Sequence, residues 1–191
     1  MTHPVDNRFL RAFRDPSSRV ILGKRVFPFC LKHRVRLLSI ESPLVTTTEH
    51  GITPRDLLIA VKVCAEESDL RVGFWDEVRL RVYHYKPEKF AEEVARFVDH
   101  CHLQAWPKYW ESSKTSDSAD GVGIPWPLMI VTNLVANGID EQRAWEMPEA
   151  QAIWLSTAFS TRAGAKVNLL TTEEEEMMEA IRRGELPTQQ G

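Results

Sequence analysis

Helical periodicity recurs along most of the chain. Leu31, Val35 and Leu38 repeat at i, i+4 and i+7, and Ser42-Pro43 should end that helix, because the residue before a proline avoids the helical region. Thr53-Pro54-Arg55-Asp56 reads as a helix start, with a hydroxyl at the N-cap, proline at N1 and an acid in the first turn. Leu57, Leu58, Val61, Cys64 and Ala65 follow as one apolar stripe. Pro87 opens another helix, with Phe90, Val94, Phe97, Val98 and Cys101 on one face and Glu92, Glu93 and Arg96 outside. Residues 74–85 fit two patterns. Val78, Leu80 and Val82 alternate with arginines as in a strand, while Trp75, Val78, Val82 and Tyr85 fall at helical spacing behind Asp76 and Glu77. Helix is the expectation, since an isolated strand there has nothing to pair with.

Between Ser112 and Gly123 the sequence SSKTSDSADGVG carries too little apolar surface to offset its ordering, so a flexible loop is expected over 112–123. Beyond it, Ile124-Pro125-Trp126-Pro127 leads into an apolar run from Leu128 to Ala136, closed by Asn137-Gly138. Asp140 begins a short helix. Met147-Pro148-Glu149 begins a longer one, with Ile153, Trp154, Ala158 and Thr161 inward and Gly164 at its end. Thr172-Glu173-Glu174-Glu175 reads as a capping box ahead of Met177, Met178 and Ile181, and Gly184 stops that helix. The pattern thus predicts a mostly α, compact multi-helix domain with a polar loop in the middle and a short C-terminal helix. Its parts are a basic N-terminal arm over 1–20, helical core over 21–111 and 124–171, and a C-terminal helix and tail over 172–191.

Composition narrows the class. In 191 residues, 43% hydrophobic and 27% charged, no run approaches the roughly 18–20 apolar residues of a membrane span. The N-terminus lacks the apolar stretch of a secretory signal, and three cysteines make no disulfide framework, so a reducing cytoplasm is expected. The net charge of −3 is unevenly spread. Residues 1–40 hold nine Lys and Arg against Asp6 and Asp15, residues 41–170 hold thirteen against nineteen acids, and the last 21 hold two arginines against six glutamates. A basic arm can meet nucleic acid, but a domain that binds it is usually basic overall, so the arm is expected to fold against the chain's own acids.

Candidate chemistry is sparse. Cys30-Leu31-Lys32-His33 and Asp99-His100-Cys101-His102 offer zinc-type donors. On a helix, however, 100, 101 and 102 point about 100° apart and cannot all face one ion, so buried cysteines and surface histidines are expected instead. No serine elbow, phosphate loop or local Cys-His signature is present. No cofactor or metal site and no catalytic residue is assigned. What the chain does offer is tryptophan and methionine beside prolines and charges: Trp106-Pro107, Trp110, Pro125-Trp126-Pro127, Trp145, Met147 and Trp154, together with Met177, Met178 and Ile181 on an acidic C-terminal helix. Trp145, Met147, Trp154, Met177, Met178 and Ile181 are the candidate partner-binding residues.

Three stretches carry a resemblance. They are Ile21-Leu22-Gly23-Lys24-Arg25-Val26-Phe27-Pro28-Phe29 through His33 to Ser42-Pro43; Thr53-Pro54-Arg55-Asp56-Leu57-Leu58-Ile59-Ala60-Val61 with Cys64; and Ile124-Pro125-Trp126 with Ala144-Trp145-Glu146-Met147-Pro148, Ala152, Trp154, Gly164 and Thr171-Thr172-Glu173-Glu174. Together they resemble proteins encoded among the tail morphogenesis genes of tailed bacteriophages and prophages, in particular the tail assembly chaperones. The resemblance implies a small helical protein without enzymatic activity, acting in the host cytoplasm on tape-measure or tail tube protein. Two alternatives stand beside it. One is a head–tail connector or minor tail component of the virion; the other is a metal-dependent enzyme using the Cys/His cluster.

Overall fold

The computed structural model describes residues 7–14, 18–46, 51–101, 105–109 and 124–184; the loop expected over 112–123 lies outside them. Among the described residues the chain forms nine helices and one two-stranded hairpin: α1 (Asn7–Arg14), β1 (Arg19–Ile21), β2 (Lys24–Val26), α2 (Leu31–Ser39), α3 (Pro54–Cys64), α4 (Phe74–Tyr85), α5 (Pro87–His100), α6 (Trp126–Ala136), α7 (Glu141–Glu146), α8 (Glu149–Arg162) and α9 (Thr172–Arg182). The fold is mostly α, and residues 74–85 are helical.

The helix signals act through identifiable bonds. At α3 the Asp56 N–H donates to Thr53 Oγ1 (3.2 Å) and the Thr53 N–H donates to Asp56 Oδ2 (2.9 Å), a reciprocal cap. The α7 cap is Asp140, whose side chain accepts from the Arg143 N–H. At α9 the cap is Thr171, one residue earlier than the sequence pattern predicts, because Thr171 and Glu174 stand three apart and satisfy each other's backbone donors. Gly138, Gly164 and Gly184 all take positive φ just past helix ends.

The hairpin is the element the helical reading does not predict. Arg19 pairs with Val26, Val20 with Arg25 and Ile21 with Lys24, around a turn in which Leu22 (φ 49°) and Gly23 (φ 69°) both have positive φ, the type I′ geometry that matches strand twist. Leu has no ease in that region. It is held there by burial of its side chain and by its N–H, which donates to Glu93 Oε2 (3.0 Å). Packing on helices gives this short hairpin the support that an isolated one lacks.

Two apolar clusters share α2 as a wall. The hairpin, α2, α3 and α5 bury Ile21, Val26, Phe29, Leu37, Leu57, Leu58, Val61, Cys64 and Phe97, with Leu80 and Tyr83 of α4 packed against them. On the other side of α2, Leu31 meets Val131, Leu134, Ala144 and Ala152 of α6, α7 and α8. A smaller contact joins α1 to α8 through Ala12, Ala105 and Ala150. Full burial of each large side chain contributes about 1.5–3 kcal/mol, so α3, buried along almost its whole length, is the centre of the first cluster.

Several inward faces differ from the expected ones. On α2 the buried positions are Leu31, His33, Arg34 and Leu37, while Val35 is exposed. The shift follows from Arg34, which turns inward to meet Glu149. Val98, Ala158 and Thr161 are exposed, Glu93 is half-buried as the hairpin's acceptor, and His33 and His100 are buried, where surface histidines were expected.

Candidate functional site

The basic N-terminal segment is largely consumed by the chain's own acids. Arg19 pairs with Asp99, Lys24 with Glu67 (2.6 Å), Lys32 with Glu66 (2.9 Å), and Arg8 lies 3.6 Å from Glu175. Arg36 donates to the Glu67 carbonyl at 3.1 Å. This is the folding-back that the charge layout suggests.

At the junction of the two clusters lies a buried ion pair. Arg34 Nε and Nη2 engage Glu149 Oε1 and Oε2, the second bond at 2.8 Å. The guanidinium carbon also sits 5.2 Å from the Phe29 ring centre, 5.1 Å from Trp106 and 5.3 Å from Trp126, a three-sided aromatic cage. Burial pushes the Glu149 carboxyl up to about 7, with the Arg34 hydrogen bonds and charge pulling against it. Trp106 and Trp126 meet edge to face at 5.6 Å and form one wall of an open groove of about 570 Å³. Met129, Ile130 and Ile153 line its apolar side, and Asn133, Ser156 and Ser160 lie at its base. The base is internally satisfied: Asn133 Nδ2 donates to the Ser156 carbonyl (2.9 Å), Ser156 Oγ (2.8 Å) and Ser160 Oγ (3.1 Å). Arg34 thus braces the tryptophans from behind, and the groove presents a firm aromatic rim.

The thiols are inert by environment. Cys30, Cys64 and Cys101 are all buried and free. Burial pushes the Cys30 thiol up to about 11 and drives Cys64 and Cys101 well upward, so all three stay protonated at neutral pH. His33 lies 3.6 Å from Glu66, yet burial holds its pKa below the ordinary value, and the ring is neutral. Among the described residues no three His, Cys, Asp or Glu side chains group so as to hold a metal ion; His102 lies outside them.

The candidate partner-binding residues divide in two. Trp145 and Met147 are half-buried and pack on the Leu31–Leu134 cluster. Trp154 is half-buried too, its ring set edge to face against Phe9 at 5.6 Å and its Nε1–H donating to the Ala105 carbonyl (2.8 Å). Met177 and Ile181 on α9 stand out at 54% and 55% exposure, with Met178 half-buried beside them. The first turn of α9 is tied down through Glu175, which meets Lys108 and Arg8, while Arg8 also donates to the Leu170 carbonyl at 2.5 Å.

A second apolar face was readable only as a helix stripe. Phe74, Trp75, Val78, Val82 and Tyr85 project from one side of α4, with Phe74, Trp75 and Tyr85 at 74%, 75% and 80% exposure. The helix is turned this way by its opposite face. Asp76 Oδ2 accepts from the Gly73 N–H (3.2 Å) and pairs with the buried Lys62 of α3 (2.8 Å). Burial is the largest single influence and works against both charges, but their mutual hydrogen bond and charge attraction, helped at Asp76 by the Gly73 N–H, together outweigh it, raising Lys62 and lowering Asp76. Lys62 further donates to the Arg71 carbonyl at 2.6 Å, and Leu80 and Tyr83 fill the core beside it. No protein-family model, curated protein or solved structure matches the chain.

Proposed function

We propose that this chain is a non-enzymatic morphogenesis protein of a tailed phage or prophage, a tail assembly chaperone that holds tape-measure or tail tube protein in the host cytoplasm through apolar helix faces. The observation that carries the holding role is the apolar surface left outside the two packed clusters, above all Met177 and Ile181 on an acidic helix whose first turn is anchored by Lys108 and Arg8. Exposed methionine adapts to varied apolar clients, and the surrounding glutamates keep such a complex in solution. The assignment to tail assembly rests on the resemblance of the three sequence stretches. No helix among the described residues is long and apolar enough to cross a membrane.

The test is co-expression of the tagged chain with candidate tail proteins, with and without residues 172–191. Recovery of soluble tape-measure or tube protein, lost on truncation, supports the reading. Failure of either protein to co-purify with the full chain overturns it, and stable incorporation of the chain into purified particles favours a connector or minor tail component.

A further inference from the structure

The aromatic groove beside Trp106 and Trp126 continues into a second cavity. The first, about 570 Å³, and the second, about 490 Å³, share Tyr109, Ile130, Ile153, Ser156 and Ser160 as lining, so they form one trough along α6 and α8. Its two ends differ in chemistry. Trp106, Trp126 and Met129 line only the first cavity, whereas Lys166 and Asn168 line only the second. The loop that carries Lys166 and Asn168 is pinned at this end, because the Leu170 N–H donates to the Lys108 carbonyl (2.8 Å) beside the Tyr109–Leu169 bridge. Tyr109 is fixed between the two ends. The Thr157 hydroxyl donates to the Ile153 carbonyl (2.9 Å), so the Tyr109 hydroxyl donates to Thr157 Oγ1 (2.7 Å). Ser156 Oγ and Ser160 Oγ both accept from Asn133 Nδ2, at 2.8 and 3.1 Å, and neither hydroxyl has an acceptor of its own among the described residues. Lys166 forms no ion pair among them. Of the described residues that line the trough, none is an aspartate or glutamate. What is left to engage a ligand is two hydroxyl donors and one cation, set beside an aromatic wall.

We infer that this trough is a binding site for a small aromatic carboxylate, its ring against Trp106 and Trp126 and its carboxylate toward Lys166, with the serine hydroxyls between. Mostly apolar walls, a few polar groups and a volume within about 300–1,000 Å³ are the features of small-molecule sites. The charge count matches one carboxylate. Phosphate recognition draws on arginine forks or on several backbone amides at a helix N-terminus, and no arginine lines this trough among the described residues. The wall selects the body of the ligand, since a ring gains edge-to-face or offset contacts with tryptophan beyond its buried area, and an aliphatic chain does not. The tryptophans are braced by Arg34, so little ordering remains to oppose binding. A proline-rich peptide also suits a tryptophan groove, but it leaves Lys166 without a counterion. The site is separate from Met177 and Ile181, so the inference does not rest on the holding role.

The test is titration of the purified full chain with 2-naphthylacetate, and with its neutral amide as the control, followed by calorimetry and by NMR of the indole N–H signals. Saturable one-to-one binding is expected, moving the signals of Trp106 and Trp126. The signal of Trp75 on α4, 75% exposed, should stay in place and serves as the control for adsorption to open apolar surface. The amide should bind about fivefold more weakly, the upper scale of one exposed ion pair. Lys166→Gln should bring the acid down to the affinity of the amide, and Lys166→Arg should keep it. Met129→Glu, an exposed position at the aromatic end, should abolish binding of the acid, and circular dichroism checks that each variant is folded. No binding at millimolar ligand overturns the inference. So do equal affinities for acid and amide, an acid that binds Lys166→Gln as tightly as wild type, or shifts centred on Trp75. A proline-rich peptide that moves Trp106 and Trp126 where the acid does not would assign the trough to a peptide instead.

Discussion

The Arg34–Glu149 pair gives the sharpest stability prediction. Both side chains are more than nine-tenths buried, and α2 meets α8 at this point through two hydrogen bonds and three aromatic rings. Replacing Arg34 by methionine fills much of the volume but strands a carboxylate that burial already pushes upward. Breaking a buried pair from one side costs about 3–5 kcal/mol. At about 2–4 °C per kcal/mol for a chain of this size, Arg34→Met should lower Tm by roughly 6–20 °C. Glu149→Gln should cost less, because the amide oxygen still accepts from Arg34 and the aromatic cage is untouched. The double variant Arg34→Met/Glu149→Leu should cost clearly less than the sum of Arg34→Met and Glu149→Leu, since no charge is left behind. The Arg34→Met defect should also shrink at low pH. Without the guanidinium the folded-state pKa of Glu149 rises further above its unfolded value, so the folded protein takes up the proton first and stability is lost as pH rises. Urea unfolding followed by far-ultraviolet circular dichroism measures all of this. An Arg34→Met cost below about 1 kcal/mol, the value of a surface pair, would refute the reasoning, as would additivity of the singles within about 0.5 kcal/mol.

Other perturbations follow from the same geometry. His33 has a folded-state pKa lowered by burial, so between that value and its unfolded value near 6.5 the unfolded chain binds more protons; stability from this group is present above about 6.5 and lost as pH falls, and His33→Asn should flatten that slope in urea titrations between acid and neutral pH. Lys62→Met should free the first turn of α4 by leaving Asp76 buried without its cation, seen as faster amide exchange in residues 74–78 while α3 amides stay protected; equal loss in both helices would mean that Lys62 serves only the core. Glu41→Gly relieves a non-glycine residue at φ 52° on the surface and should raise stability by about 0.5–1 kcal/mol, net of the unfolded-state entropy. The three cysteines should react with a thiol reagent only at the rate of unfolding, and rapid labelling of any one in the native protein would contradict their burial.

The fold was legible where a local signal and its bond coincide. Thr53 with Asp56, Asp140 with the Arg143 N–H, and the glycines past α6, α8 and α9 all act within four residues, so sequence spacing is enough to find them. The hairpin was not legible for a related reason. Its turn residues are Leu22-Gly23, where Asn-Gly would have announced it, and Leu22 is held by Glu93 from α5, seventy-one residues away. In the sequence Arg34 is only one of the nine basic residues of 1–40, because its partner lies 115 residues on, and nothing local marks Glu149 as other than a first-turn acid. The buried histidines carry no local marker either: His33 packs on Phe29 and lies near Glu66 from beyond α3, and His100 packs on Phe97 of its own helix.

The candidate site shows where periodicity stops. On α5 and on α4 the apolar residues recur at the same helical spacing, yet Phe97 of α5 is buried and Trp75 of α4 is open to solvent. Spacing identifies an apolar face; which way the face turns is decided by the other side of the helix. On α4 that side carries Asp76, and a carboxylate cannot enter the core without a cation, so Lys62 on α3 fixes the rotation and sends Phe74, Trp75 and Tyr85 outward. On α9 the same logic runs through Glu175, held by Lys108 and Arg8 so that Met177 and Ile181 turn away. Both exposed faces are thus set by ion pairs in the first turn, on the side of the helix opposite the stripe. A signal for them does exist in the sequence: an acid in the first turn on the face opposite an aromatic or methionine stripe. That signal becomes readable only once a lysine or arginine elsewhere in the chain is known to be buried against it.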